Sequence, residues 1–178
     1  MATLRDWANA FLEQAKEDLR AARAVYGAGS PSTFCMLLQM TFEKLGKAAF
    51  ARSTKSPQIT EPPHSHQTAS RLLLLLERAP GGLALKGIET DKDRGRVFAA
   101  VRELENAHPD TVNKGVQRGL ARWPQLEFPW ENPSSGAIEW PAQHLPIARR
   151  ASDPRERLGA DLLKFADALV MQFNMLFP

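Results

Sequence analysis

Length and composition place the chain among ordinary globular proteins, because its 178 residues suffice for one domain with a buried core, and 43% of them are hydrophobic and 24% charged. The net charge of +3 permits an anionic partner without requiring one. The single cysteine, Cys35, excludes an intrachain disulfide and a zinc site built from several cysteines.

The sequence carries no segment typical of export or membrane insertion. Its N-terminus is too polar and amphipathic for a signal peptide. The run of leucines from Leu72 to Leu76 is far shorter than the roughly 20 apolar residues that a membrane span needs. We therefore expect a single cytoplasmic domain over residues 1–178, with no membrane as a partner.

Two amphipathic helices are predicted at the start of the chain. The first spans about residues 4–26, with Thr3 as its N-cap and glycines at 27 and 29 after its end. The second begins at Ser30-Pro31, an N-cap followed by a first-turn proline, and ends near residue 52. Cys35 occupies an apolar position of this helix, which favours a small core residue over a nucleophile.

The middle of the chain predicts a loop and further helices. Prolines mark residues 53–65 as a loop, and a third helix is expected over about 65–79 with Ser65 as its cap. Its consecutive leucines cover most of the circumference, so this helix should be heavily buried. A fourth helix begins near Thr90 and is halted by Pro109, and a shorter one is expected over 110–122.

Residues 123–152 form the most irregular segment, with five prolines and three tryptophans. A loop of this length is uncommon in a compact domain unless it packs or has a function. We expect the tryptophans to pin it to the bundle as an ordered strap, with a partner contact as the alternative. The last helix is predicted to start at Asp153-Pro154. The fold class is therefore all-α, an up-and-down bundle of about five helices with a long Pro/Trp-rich ordered loop before the last helix.

Polar residues align along the second predicted helix. Gln39, Glu43 and Lys47 recur at i, i+4 and i+8. One interpretation is a solvated flank with a Glu43–Lys47 ion pair, worth a few tenths of a kcal/mol. The other interpretation puts Glu43 and Lys47 at the rim of a cleft that binds a ligand.

Two motifs carry a resemblance to a known family. The first predicted helix contains Ala15-x-x-Asp18-Leu19-x-x-Ala22, and the second contains Gln39-x-x-x-Glu43-Lys44-x-x-Lys47-Ala48. This pair resembles the first two helices of HEPN domains, the helical bundles named for higher eukaryotes and prokaryotes nucleotide-binding proteins. The resemblance covers about residues 1–110 and the final helix, and it implies a fold rather than one activity.

An arginine and a histidine extend this resemblance towards chemistry. Many HEPN proteins that cut RNA carry an arginine, four to six residues and a histidine, and here five residues separate Arg102 from His108. The resemblance implies a metal-independent, toxin-type endoribonuclease without a cofactor, whose paired motifs face one another in a homodimer. His108 would move a proton and Arg102 would stabilise phosphate charge, with Asn106 contacting the ligand.

Other residues support or oppose an RNA site. Six residues of a straight helix rotate a side chain by roughly 240°, so Arg102 and His108 share a site only if Pro109 turns the histidine back. Glu103 and Glu105 would repel a phosphate. The alternative without a catalytic role is that Arg102 pairs with Glu105 or Asn106 and that His108 is a polar residue at the helix end.

A basic stripe is predicted beyond this motif. Lys114, Arg118 and Arg122 would lie on one face if residues 110–122 are helical, either as a phosphate-binding track or as a solvated basic face. His64-Ser65-His66 has no further metal ligands near it in sequence, so we interpret it as capping the third helix and predict no metal site.

The partners implied by the resemblance are RNA or a nucleotide, a second copy of the chain, and a nucleotidyltransferase or an antitoxin. The alternative function is a non-catalytic HEPN-like module that binds a nucleotide or a partner protein. A third class is a helical oligomerisation protein without any ligand.

Overall fold

The computed structural model describes residues 2–56, 59, 61–112 and 124–178 and has an all-α fold. Over this part of the chain the helices are α1 (Leu4–Gly27), α2 (Pro31–Ser53), α3 (Ala69–Arg78), α4 (Asp91–Asn106), α5 (Pro109–Val112), α6 (Pro141–His144), α7 (Pro146–Ser152) and α8 (Leu158–Leu176). Five of them, α1 to α4 and α8, have ten residues or more, so the predicted bundle of about five helices is confirmed. None of the described helices is both long and apolar enough to cross a membrane.

Local sequence accounts for the ends of the first two helices. The Thr3 hydroxyl accepts from the Asp6 backbone N–H, and the Asp6 carboxylate accepts from the Thr3 backbone N–H at 2.7 Å, so the predicted cap is a complete capping box. Ser30 precedes Pro31 at the start of α2 as predicted. Its hydroxyl, however, donates to the Thr33 hydroxyl and does not cap a backbone N–H.

The second helix lies at the centre of the bundle. It packs against α1, α3, α4, α7 and α8, which explains why its apolar surface is so broad. Phe42 of α2 lies against Phe165 of α8, and Phe165 lies against Phe98 of α4. Cys35 is fully buried, and burial, followed by the charge of Glu103, raises the pKa of its thiol to about 12. The prediction that Cys35 is a core residue is therefore confirmed.

The third helix begins later than the sequence predicts, at Ala69 rather than near Ser65. The Ser65 hydroxyl accepts from the Gln67 backbone N–H in a local turn, whereas Thr68 is the N-cap residue of α3. The Thr68 hydroxyl does not cap a backbone N–H of α3. It donates instead to the backbone carbonyl of Glu43 at 2.8 Å. The leucine run is also less buried than expected, since Leu74 is 51% exposed.

The last helix also starts later, at Leu158 rather than at Asp153-Pro154. The Asp153 carboxylate accepts from the backbone N–H of Arg155 at 2.8 Å, which closes a turn instead of opening a helix. Arg157 then takes a left-handed conformation with φ of 56°, and the helix follows it. The terminal helices α1 and α8 are neighbours, and Arg23 pairs with Asp167 across them.

The tryptophan-rich segment contains more regular structure than a loop. From residue 124 onwards it holds α6, α7 and an antiparallel hairpin of β1 (Trp130–Glu131) and β2 (Ile138–Glu139). Trp130 is buried and its indole N–H donates to Glu139 at 3.0 Å, so it pins the segment as predicted. Trp140 is 45% exposed and does not pin the segment, and Trp123 lies outside the described residues.

Candidate functional site

A buried polar cluster lies on α2, where the sequence suggested either a solvated flank or a cleft rim. Gln39, Glu43 and Lys47 are only 3%, 7% and 9% exposed, so the solvated-flank interpretation is wrong. The ion pair itself is confirmed, with Lys47 Nζ 2.8 Å from Glu43 Oε1. Gln39 Nε2 donates to Glu43 Oε2 at 3.1 Å, and the Lys47 ammonium lies 5.6 Å from the centre of the Phe11 ring.

Glu43 is ionised in this setting. Burial alone would raise the pKa of its carboxyl group, but hydrogen bonds from Lys47, His66 and Gln39 outweigh that effect, and the pKa lies below its ordinary value. The carboxylate is therefore a fixed acceptor at neutral pH. Because it can only accept hydrogen bonds, each neighbour must donate to it.

His66 reaches this carboxylate from the segment before α3. Its Nδ1 lies 3.0 Å from Glu43 Oε2, and its side chain is 36% exposed, so it joins the buried carboxylate to the surface. The segment comes this close because residue 46 of α2 is glycine. A Cβ at Gly46 would lie 2.2 Å from the backbone oxygen of Thr68.

His108 completes the cluster from the turn between α4 and α5. Helix α4 ends at Asn106, and Ala107 is its C-cap residue. His108 follows the cap and therefore lies outside the helix. The expectation that Pro109 frees the histidine from the helix agrees with this geometry. The His108 ring stacks on the His66 ring with centroids 4.1 Å apart and an interplanar angle of 14°.

Glu43, His66 and His108 together offer three ligand atoms that all lie within 4.8 Å of one another. One ligand atom is a carboxylate oxygen and two are imidazole nitrogens. Such a set can transfer protons, because imidazole titrates near neutrality. It can also hold a metal ion, because neutral imidazole and carboxylate are ordinary metal ligands.

The two acidic residues expected to repel a phosphate are both paired. Glu105 is buried and accepts hydrogen bonds from the backbone N–H and the hydroxyl of Ser70 at the start of α3. Glu103 accepts from Arg150 of α7 at 2.8 Å. The non-catalytic interpretation predicts that Arg102 pairs with Glu105. This pairing is absent from the described residues.

The remaining predicted site residues are Arg102, Asn106, Lys114 and Arg118. Arg102 and Asn106 lie on the exposed side of α4, and no hydrogen bond or ion pair joins either side chain to a described residue. Lys114 and Arg118, with the rest of the predicted basic stripe, lie outside the described residues. The fold thus brings together Glu43, Lys47 and His108. Arg102 and Asn106 lie on the surface of α4, the helix that precedes His108.

His66 is the member of the site that sequence reasoning missed. The signal was present, since His64-Ser65-His66 stood out as a potential pair of ligands. The missing information was that the partners of His66 come from α2 and from the end of α4. Only tertiary packing shows this.

Comparisons of the chain with protein-family models, with curated proteins and with solved structures give no match. The resemblance to HEPN domains consequently rests on the motifs of the first two helices and on the Arg102–His108 spacing alone.

Proposed function

We propose that this chain is a HEPN-like, toxin-type endoribonuclease that cleaves RNA without a metal ion and uses the Glu43–His66–His108 cluster for proton transfer. The observation that carries the proposal is the position of His108 against a second histidine that a buried carboxylate orients. Two imidazoles at one site supply both the base and the acid that phosphodiester cleavage requires.

The proposed reaction assigns a task to each histidine. His66 donates its Nδ1–H to Glu43, so the neutral ring carries its lone pair on Nε2 and acts as the base. It takes the proton of a ribose 2′-OH while the 2′ oxygen attacks the adjacent phosphorus. The bond from phosphorus to the 5′ oxygen breaks, and protonated His108 donates a proton to that leaving oxygen. The products are a 2′,3′-cyclic phosphate and a 5′-hydroxyl end.

Arg102 supplies phosphate binding in this proposal. Its guanidinium is exposed on α4 and makes no ion pair with a described residue, so it does not have to leave an internal partner to meet a phosphate. Pairing of Glu103 with Arg150 and of Glu105 with Ser70 supports the same role, because it reduces the repulsion that these carboxylates would exert. The homodimer implied by the resemblance would bring a second copy of Arg102 to the cleft.

The test is RNA cleavage by the purified chain in EDTA. We expect the wild type to produce fragments with cyclic phosphate ends, detected by mass spectrometry, and His66→Ala and His108→Ala to lower the rate by at least about 100-fold. Arg102→Ala should lower it by at least about 10-fold. His64→Ala is the matched control, because His64 lies in the same segment with a side chain that is 92% exposed.

Two results would contradict this proposal. Equal cleavage by the wild type and by the His66 and His108 variants would point to a contaminating nuclease. Absence of cleavage together with binding of RNA or a nucleotide that the same substitutions weaken would favour the alternative, a non-catalytic HEPN-like binding module. Light scattering on the same samples measures whether the chain is the proposed homodimer.

A further inference from the structure

We infer that Glu43, His66 and His108 form a binding site for one divalent transition metal ion of the zinc class. The inference goes beyond RNA cleavage and does not depend on it, because metal binding can be measured without RNA. It starts from the three ligand atoms that lie within 4.8 Å of one another.

The distances are close to those of a coordinated ion. Zinc lies about 2.0–2.1 Å from a histidine nitrogen and about 2.0–2.2 Å from a carboxylate oxygen, so the ligand atoms of a tetrahedral site are roughly 3.4 Å apart. His66 Nδ1 and Glu43 Oε2 are 3.0 Å apart, which already satisfies this geometry. Every separation that involves the His108 nitrogen is at most 4.8 Å, so this ring has to approach by no more than roughly 1.4 Å. It can do so because it lies in a turn and not within a helix.

The donor set selects the class of metal. Two imidazole nitrogens and one carboxylate oxygen suit zinc and its neighbours in the first transition row, whereas calcium and magnesium prefer oxygen ligands alone. Three protein ligands leave a fourth tetrahedral position for water or another small ligand. In zinc proteins this arrangement is typical of reactive sites rather than of closed structural ones.

The surroundings hold the proposed ligands in position. Lys47 donates to Oε1 of Glu43 and Gln39 donates to Oε2, so the carboxylate is oriented before any metal arrives. The close contact between Gly46 and Thr68 fixes the segment that carries His66. A site whose ligands are already oriented loses little conformational entropy on binding.

Unsatisfied polar atoms lie at the same end of α4 as His108. The Thr111 hydroxyl and the Gln125 side-chain oxygen are buried and have no hydrogen-bond partner in the part of the chain that the structure describes. Gln125 precedes Leu126, whose backbone N–H donates to the Ala107 carbonyl beside His108. Buried unsatisfied polar atoms call for a partner such as a bound water.

Metal binding and the proposed cleavage would compete for the same atoms. To bind the metal through Nδ1, His66 has to move its proton to Nε2, which removes the lone pair that acts as the base in the proposed cleavage. His108 likewise binds the metal only after losing the proton that it would donate to the leaving oxygen. Zinc is therefore expected to inhibit RNA cleavage by the wild type. Failure of the ribonuclease proposal would leave metal binding intact, and failure of metal binding would leave the nuclease test in EDTA unaffected.

The experiment titrates the full chain, stripped of metal with EDTA and then dialysed, with Zn²⁺ in competition with a fluorescent zinc chelator. We expect one ion per chain, and an affinity that falls by roughly 100-fold or more in His66→Ala and in His108→Ala. Co²⁺ replaces Zn²⁺ in the same samples and should give the strong visible absorption of a four-coordinate complex. Mg²⁺ should not compete with either ion.

Two controls make the result decisive. His64→Ala should bind zinc like the wild type, because His64 points to solvent beside Glu61 and is not part of the cluster. His66→Gln and circular dichroism separate loss of a ligand from loss of the fold. No zinc binding by the wild type, or equal binding by the folded His66 and His108 variants, would overturn the inference.

Discussion

Gly46 sets the distance between α2 and the segment that carries His66. Its missing side chain lets the backbone of Thr68 approach the helix, and the Thr68 hydroxyl then donates to the Glu43 carbonyl. Gly46 lies within the motif that carries the HEPN resemblance, and the packing of Thr68 explains why this position has no side chain. It allows the contact that places a histidine against Glu43.

We predict that Gly46→Ala lowers the free energy of unfolding by about 1–3 kcal/mol, because the added methyl group would collide with backbone rather than with a flexible side chain. Gly95→Ala in α4 is the matched control. Apart from its own stretch of helix, no atom of the described residues lies within 4 Å of its added Cβ, so a gain of up to about 1 kcal/mol is expected. Urea denaturation measures both variants, and equal effects of the two substitutions would refute the role given to Gly46.

At the scale of single residues, the sequence predicted an ion pair between two side chains more reliably than it predicted how far these side chains are buried. The Glu43–Lys47 ion pair follows from helical spacing alone, and it is present. The burial of both residues does not follow from the spacing, because it depends on which neighbours cover that side of α2. Charged residues are mostly exposed, so the pattern favoured a solvated flank.

Elements were predictable where one local signal dominates. Thr3 with Asp6 and Thr90 with Asp93 begin helices as their capping patterns indicate. The starts of α3 and α8 were predicted too early because a serine and an Asp-Pro pair resemble caps in sequence. In the structure their side chains close local turns instead, and the choice between cap and turn is made by tertiary contacts.

At the scale of elements, the hairpin β1–β2 is predicted to depend on Trp130. This side chain is 2% exposed, and Glu139 accepts from both its indole and Asn132. Trp130→Ala should lower the free energy of unfolding by roughly 3–5 kcal/mol and expose the hairpin to limited proteolysis. Trp140→Ala, at a residue that is 45% exposed, should cost less than about 1 kcal/mol. Similar losses from both substitutions would mean that Trp130 does not pin the segment.

Across the whole molecule, the bundle follows from the sequence and the site does not. Apolar periodicity over each helix suffices to predict an all-α fold. The cluster combines residues from α2, from the segment before α3 and from the end of α4, and each lies in its own local pattern. Their meeting depends on how α3 and α4 pack on α2, which local patterns do not encode.

The stability of the whole fold should depend on Glu43 in a pH-dependent way. Its folded pKa lies below the ordinary value of 4.5, so its contribution is complete above that value and is lost as the pH falls through the folded pKa. Glu43→Gln should cost roughly 2–4 kcal/mol near pH 7, because Lys47 then loses its counter-ion in a buried setting.

Urea denaturation over a range from about pH 7 to about pH 3 checks this prediction. The gap in stability between the wild type and Glu43→Gln should narrow as the pH falls below 4.5. Glu17→Gln, which breaks an exposed pair with Arg20, should change stability by less than about 0.5 kcal/mol. A gap that stays constant with pH would show that folding does not lower the pKa of Glu43.

The buried thiol of Cys35 has a practical consequence for such measurements. It is the only cysteine in the sequence, it is fully covered, and its pKa of about 12 keeps it protonated at neutral pH. A second cysteine placed on the surface would therefore react with maleimide reagents far faster than Cys35 does. Spin labels or fluorophores can be attached at chosen positions without first removing the native cysteine, which opens the two histidine-bearing segments to distance measurements in solution.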